Sequence, residues 1–379
     1  MEKRHCCSHT CITTDCLKHA PYELSIHISN LFKSCLIHGY IPDNLLLCAI
    51  ILLVKSPQKS DQDSGNYRGI ALSSLFLKIF DWVVLILFDC DLVCDENQFG
   101  FESESSTVMC TWAVIEVINY FTSRGTPVYI EGLQKMVSIC QEHATANDLM
   151  FSTDPIPSKS KTKCMAFPDG ASNDLRCVKL NGHNLPWVDR AVHIGNTLHV
   201  SGKMNQDLRE KRAMFIDRCM ELNQEFFIYP PEVKVKMCNI YNSHFTGSPL
   251  WHFDSSPFSQ LCNSWNVNMR IMFEIPRQTH CWLVEEISGC KHAKTLIFGR
   301  YIKFVNSLAM NKRPSIRALF KHLAKSVNSF TGSNLRHIML ETGISISPGI
   351  SGPHILKSYK AYKAPPQETW RISLLQSLL

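Results

Sequence analysis

The sequence predicts an α+β fold that is mostly helical, and three observations lead there. Apolar residues recur at helical spacing near the start (Leu24, Ile28, Leu31, Phe32, Cys35) and near the end (Tyr301, Phe304, Val305, Leu308). Between them lie short strand-like runs separated by turn residues, Asn181-Gly182 being the clearest turn. The composition, 45% hydrophobic and 19% charged over 379 residues, is that of a folded protein. It excludes wholesale disorder and suits two or three folding units.

Each element follows in order. The first stripe makes a helix that Gly39 stops, with Pro42 just beyond. Cys48 to Val54 is an unbroken apolar run suited to a buried strand, with Lys55 at its end and a polar loop over 56–65. A helix over 74–88 places Leu75, Ile79 and Trp82 on one stripe. Residues 70–88 are the most apolar in the chain, but Lys78 and Asp81 favour a buried helix over a membrane span. Thr107 suits the cap of the next helix, which has Trp112, Ile115 and Asn119 on one face and Met109, Ala113, Glu116 and Tyr120 on another. Pro127-Val128-Tyr129 begins a strand.

The pattern then changes abruptly. Leu133, Met136, Val137 and Cys140 make an amphipathic helix ending at Asn147. Residues 148–152, 162–167, 177–180 and 191–198 read as short strands. A long helix carries Leu208, Phe215, Cys219, Leu222 and Phe226, breaks at Pro230-Pro231 and restarts towards Tyr241. The remainder is helical, with a further stripe at Ile316, Leu319, Phe320 and Leu323. Gly332 and residues 343–352 read as loop.

Charge and cysteine usage bound the function. The net charge is +6, and residues 287–340 hold ten Lys/Arg and no Asp or Glu. Such a block suits contact with a polyanion; it equally suits a solvated basic face. Seventeen cysteines are scattered, mostly in apolar segments, and the start Met1-Glu2-Lys3-Arg4-His5-Cys6-Cys7 has no apolar leader. Free thiols in a reducing, intracellular compartment (cytoplasm or nucleus) are expected. The crowded patch Cys6, Cys7, His9, Cys11, Cys16 and His19 fits no zinc-site spacing, so no metal ligand is assigned. No membrane or specific protein partner is inferred. A Gly-x-Ser-x-Gly elbow is missing, which argues against a hydrolase.

Several motifs carry a family resemblance. Asn66-Tyr67-Arg68-Gly69-Ile70-Ala71-Leu72, then Gln98-Phe99-Gly100-Phe101 with Ser105-Ser106-Thr107 close behind, resemble the fingers motifs of reverse transcriptases from non-LTR (LINE-type, CR1-like) retrotransposons. Gly39-Tyr40-Ile41-Pro42 is similar to the turn before the first fingers strand. Lys159-Ser160-Lys161-Thr162-Lys163, followed by Met165-Ala166-Phe167, resembles the late palm motif. His193-Ile194-Gly195 resembles the primer-gripping hairpin, and the helices over 205–241 resemble the thumb. Ser264-Trp265-Asn266, Pro276-Arg277-Gln278-Thr279-His280 and Thr331-Gly332-Ser333-Asn334-Leu335 resemble a C-terminal region of these elements.

The resemblance runs from about Thr13 to about Ile338 and implies the remnant of a right-hand polymerase. Residues 1–129 would be a fingers-like segment, 130–200 a partial palm, 201–250 thumb-like helices, 251–340 a basic helical C-terminal region, and 341–379 a poorly ordered tail. It also implies site residues. Lys55 and Arg68 match basic residues that contact an incoming triphosphate, where a fixed positive charge is needed. Gln98 and Gly100 belong to the same nucleotide-facing set. Lys159 and Lys161 match late-palm lysines, and His193, Ile194 and Gly195 the primer grip. Lys312, Arg313, Arg317 and Lys321, from the basic block, are candidates for contact with nucleic acid. Glu102 departs from the pattern by standing where an Arg is common, and Glu104 follows.

The larger departure is at the centre. Two-metal phosphoryl transfer needs carboxylates that hold ions about 3.5–4 Å apart. The family supplies one Asp after the strand that Tyr129 begins, and an Asp pair on a later hairpin. Here Tyr129 is followed by Ile130-Glu131-Gly132-Leu133, and no Asp-Asp dipeptide occurs anywhere. No catalytic residue is therefore assigned, and Mg²⁺ is expected only for an intact family member. The expected function is a truncated, inactive fragment of an RNA-directed DNA polymerase. Two alternatives stay open: a nucleic-acid-binding remnant using the basic C-terminal half, with RNA or DNA as partner, and an incomplete gene model of an active enzyme.

Overall fold

The computed structural model describes residues 14–55, 60, 62–88, 98–100, 102, 104–125, 133–154, 156, 160–167, 177–230, 233–234, 237, 245–288, 290–326 and 328–342. The junction at 129–131, Cys6, Cys7, His9, Cys11, Lys159 and the tail beyond Thr342 lie outside the described residues. The chain is mostly helical, with three small two-stranded sheets among the described residues. It divides into two compact units, Met1–Asp95 and Glu96–Leu379. No helix among the described residues is long and apolar enough to cross a membrane.

The first unit holds α1 (Thr14–Lys18), α2 (Tyr22–His38), α3 (Asp43–Leu46), β1 (Cys48–Val54), β2 (Tyr67–Ser73) and α4 (Leu75–Leu87). Gly39 ends α2 in the left-handed conformation (φ 60°), its N–H donating to the Cys35 carbonyl, as the sequence predicts. Ser74 caps α4 by accepting from the Leu77 N–H at 3.1 Å. The core is small: Phe32 and Cys35 of α2 bury against Phe80 of α4, the two rings meeting edge-on at 5.2 Å.

Two expectations fail here. The buried stripe of α4 centres on Phe80, while Trp82 is 68% exposed, because the helix turns towards Phe32 the face that carries Phe80. The run in β1 is not buried either. It pairs antiparallel with β2 alone, and Ile50, Ile51, Leu52, Leu53 and Val54 are all exposed. A two-stranded ribbon can bury such residues only if another layer covers it.

The second unit opens with α5 (Thr107–Thr122). Ser106, not Thr107, is its cap, because Ser106 has the extended backbone and accepts from the Met109 N–H at 3.2 Å. Next comes α6 (Leu133–Ala146), then the hairpins β3 (Lys179–Leu180) with β4 (His183–Asn184) and β5 (Arg190–His193) with β6 (Asn196–His199). The Gln134 side-chain amide binds both the N–H (2.7 Å) and the carbonyl (2.9 Å) of Lys179, which clips α6 to an open strand edge. Residues 148–152 form no strand, and Cys164 makes only a single parallel bridge to Trp187.

The rest is helical: α7 (Asn205–Glu225), α8 (Ser256–Met272), α9 (Cys281–Ser288), α10 (Ala293–Ala309), α11 (Pro314–Lys325) and α12 (Phe330–Thr342). These helices and α5 share one large core. Phe253 sits within it, its ring 5.1–5.2 Å from those of Phe258, Phe298 and Tyr301. Tyr301, Phe304, Val305 and Leu308 are buried, as their spacing predicts.

Gly332 corrects the sequence reading, because it lies inside α12 and is buried. A Cβ there would collide with the Ser326 carbonyl and come within 2.9 Å of Ser329 Oγ and 3.1 Å of the Leu323 carbonyl. Gly332→Ala therefore inverts the usual rule. In an exposed helix interior the change gains about 1 kcal/mol; here overpacking makes it cost about 1–3 kcal/mol, measurable by urea denaturation.

His292 supplies a pH dependence. Its Nδ1 caps α10 by accepting from the Lys294 N–H at 3.1 Å, and its own N–H donates to Glu285 Oε1 at 2.5 Å. Burial, and then the Lys294 charge, push its pKa down from 6.5 to about 4. Above the unfolded value the ring is neutral in both states and the cap contributes fully. As pH falls from 6.5 to 4 the unfolded chain takes up a proton that the folded chain refuses, so stability falls. We expect this group to account for up to about 3 kcal/mol across that window. Urea titrations of His292→Asn, which keeps a capping oxygen without a titrating ring, should show a flatter acid limb.

Candidate nucleic-acid interface

Lys55 and Arg68 come together on the ribbon of the first unit. Arg68 pairs with Leu53, and the Lys55 N–H donates to the Asn66 carbonyl at 2.7 Å. Side chains alternate along a strand, so Leu53, Lys55 and Arg68 share one face. Both residues are exposed.

In the second unit, two motifs far apart in sequence meet. The Arg313 guanidinium lies 4.9 Å from the Phe99 ring centroid and donates to the Gln98 carbonyl. The Gln98 side chain donates to the Gly100 carbonyl at 3.3 Å. Arg317 donates to the carbonyls of Asn311 (2.5 Å) and Lys312 (2.9 Å), and Asn311 donates to that of Glu104 at 3.0 Å. Arg313 and Arg317 thus hold the Gln98–Glu104 region against the start of α11. Lys312 and Lys321 stay exposed, as does Lys161.

His193, Ile194 and Gly195 form the tip of the β5–β6 hairpin. His193 pairs with Asn196, leaving Ile194 (φ 48°) and Gly195 (φ 80°) as a two-residue turn with both residues left-handed. A β-branched residue is strained there, and Ile194 is nonetheless exposed. The His193 ring nitrogen lies 3.1 Å from Thr111 Oγ1, and burial lowers its pKa.

The hairpin base is fastened by residues that the sequence reading missed. Asp207 of α7 accepts from the Thr197 N–H at 3.0 Å and from the Trp251 indole at 2.8 Å. Burial raises the Asp207 pKa, and those hydrogen bonds offset part of the rise. Glu210 accepts from Thr197 Oγ1 at 2.8 Å and pairs with Arg190 at 2.8 Å. The available signal was an acidic residue one position from the buried Leu208.

The carboxylates of the described residues are not arranged as a two-metal centre. Among the described residues, no three His, Cys, Asp or Glu side chains gather as a metal-binding group. The buried carboxylates Glu116 and Asp207 already accept from protein donors.

Comparison with known proteins points the same way as the motifs. No family model matches the chain. Over 114 residues it is 26% identical to a protein described as a probable RNA-directed DNA polymerase from transposon X-element of Drosophila melanogaster. The match covers 29% of this chain and 12% of that protein. It supports a reverse-transcriptase-like relationship and a transposon-derived origin.

The strained tip yields a test. Ile194→Asn would make the turn Asn-Gly, the pair favoured in this geometry. It should raise stability by about 1 kcal/mol in urea denaturation, because Asn tolerates the left-handed region.

Proposed function

We propose that this chain is a fragment of a retrotransposon-derived RNA-directed DNA polymerase that no longer transfers nucleotides, while its exposed lysines still contact RNA or DNA. One observation carries the reading: motifs resembling the fingers and the late palm flank residues 129–133, yet that stretch has no Asp and the chain has no Asp-Asp pair. Without paired carboxylates, nothing neutralises the charge that develops on the attacking and leaving oxygens. The cations that remain can attract phosphate but cannot activate it.

The binding half of the proposal is supported by the exposure of Lys312 and Lys321, whose neighbours Arg313 and Arg317 are engaged within the fold. Primer extension on an RNA template with Mg²⁺ or Mn²⁺ should give no incorporation; any templated product overturns the inactivity. In parallel, affinity for a single-stranded RNA should fall with rising salt. Lys312→Gln with Lys321→Gln should reduce the slope of log K against log salt by about 1.5. Binding that is absent, or insensitive to salt, removes the nucleic-acid role.

A further inference from the structure

An open groove of about 550 Å³ runs between α7 and α8 in the second unit. Its floor is Cys219 and Met272, both buried. Its walls are Ile216 and Met220 from α7 and Val267 and Ile271 from α8. Met220, Val267 and Ile271 each keep about half of their surface exposed, so the apolar walls face solvent. Contiguous exposed apolar surface of this kind marks a docking site. At one end the Arg212 guanidinium donates to Ser264 Oγ at 2.7 Å and to Gln260 Oε1 at 3.4 Å. Asn223 lines the other end. From Arg212 to Asn223 α7 rises by ~17 Å, the length of about three helical turns. Among the described residues no acid lines the groove, and Arg212 is already engaged. The surface therefore suits an apolar segment better than a charged ligand.

The path of the chain points to the occupant. Glu341, one residue before the last of α12, pairs with Lys294 at 2.7 Å. Burial pushes the Cys262 thiol of α8 up to about 11, and the charges of Lys294 and Glu341 both act on it. The C-terminus of α12 thus lies beside α8, next to the turn whose Gln260 and Asn263 line the groove. Residues 343–369 can reach as far as ~90 Å, whereas α8 is only ~10–12 Å across. The sequence beyond them is strongly apolar: Trp370, Ile372, Leu374, Leu375, Leu378 and Leu379.

We propose that residues 370–379 dock in the α7–α8 groove of their own chain as an amphipathic helix. Trp370, Leu374 and Leu378 recur every fourth residue, and Leu375 and Leu379 make the adjoining stripe. Ser373, Gln376 and Ser377 fall on the other side. Ten residues of helix rise ~15 Å, which matches the groove. Arg371 falls within the apolar arc at the first turn, where its long stem carries the charge out to water at the rim. Apolar anchors at this spacing are how a helix fills a groove. The tether holds the segment at high local concentration, so modest apolar contact suffices. The inference is independent of nucleic-acid binding and uses none of the motifs above.

Hydrogen exchange of the full chain, read by mass spectrometry, tests this. Amides of residues 370–379 should exchange at least tenfold more slowly than in a free peptide of residues 369–379. Val267→Asp with Ile271→Asp, at half-exposed positions, should return them to the free-peptide rate while α12 stays protected. Leu374→Asp with Leu378→Asp should do the same and empty the groove. Labelled 369–379 peptide should then bind that variant at least tenfold more tightly than the unaltered chain, whose groove is filled. Exchange at the free-peptide rate in the unaltered chain overturns the proposal, as does protection that survives the groove substitutions. Protection that fades on dilution together with a dimer in sedimentation assigns the groove to a second copy and overturns docking within one chain. Should the groove variant fail to fold, equal peptide binding by the unaltered chain and the Leu374→Asp, Leu378→Asp variant overturns it as well.

Discussion

The second unit depends on how Thr331 is held. Its N–H and hydroxyl both donate to Glu116, its hydroxyl accepts from the Trp112 indole at 2.9 Å, and its carbonyl accepts from the Tyr301 hydroxyl at 3.2 Å. Glu116 thereby caps α12 from another helix, an arrangement favoured by the partial positive charge at a helix N-terminus. Burial raises the Glu116 pKa, while the Thr331 and Phe330 donors pull it back. Each neutral hydrogen bond contributes only about 1 kcal/mol net, but stripping donors from a buried carboxylate costs about 3–5 kcal/mol. The asymmetry fixes the docking of α12 on α5 more firmly than apolar contact alone, which tolerates sliding.

The polar contacts continue beyond Thr331. Asn334, one turn on, accepts from the Phe253 N–H at 3.2 Å and donates to the Trp251 carbonyl at 2.8 Å. The Trp251 indole reaches Asp207, and Asp207 holds Thr197 at the base of the β5–β6 hairpin. The Thr331–Asn334 motif, which had no mechanism in the sequence, therefore has a structural one. It joins α5, the aromatic core and α7. Gly332 between the two residues is required because the Ser326 and Leu323 carbonyls approach its Cα too closely for a side chain.

This contrast explains what was legible in the sequence. Stripes facing a thick core were read correctly, as at Tyr301, Phe304 and Val305, because periodicity reports burial when a core exists. The Asn181-Gly182 turn was legible because its chemistry is local: both residues take positive φ. Burial of β1 was misread because an apolar run states a preference and not the presence of a covering layer. Gly332 was misread because its reason lies in carbonyls reached through the turn before α12. A motif located Gln98 and the basic block located Arg313, but neither showed that they would touch, since 215 residues separate them.

The same logic bears on the basic block. Ten cations without an acid between residues 287 and 340 look like a single electrostatic surface in sequence. In the fold they divide by geometry. Arg313 donates to the Gln98 carbonyl, and Arg317 donates to two successive carbonyls, those of Asn311 and Lys312, a geometry that suits a planar guanidinium better than an ammonium. Lys294 is drawn to Glu341 at 2.7 Å, just past the end of the block. Lys312 and Lys321 remain exposed. A polyanion approaching α11 would meet flexible ammonium charges carried on an arginine-braced frame, so affinity would track salt and charge number more than sequence. That division of labour places Arg313 and Arg317 within the architecture and leaves Lys312 and Lys321 on its surface, where charge is held by long, flexible stems and not by fixed hydrogen bonds.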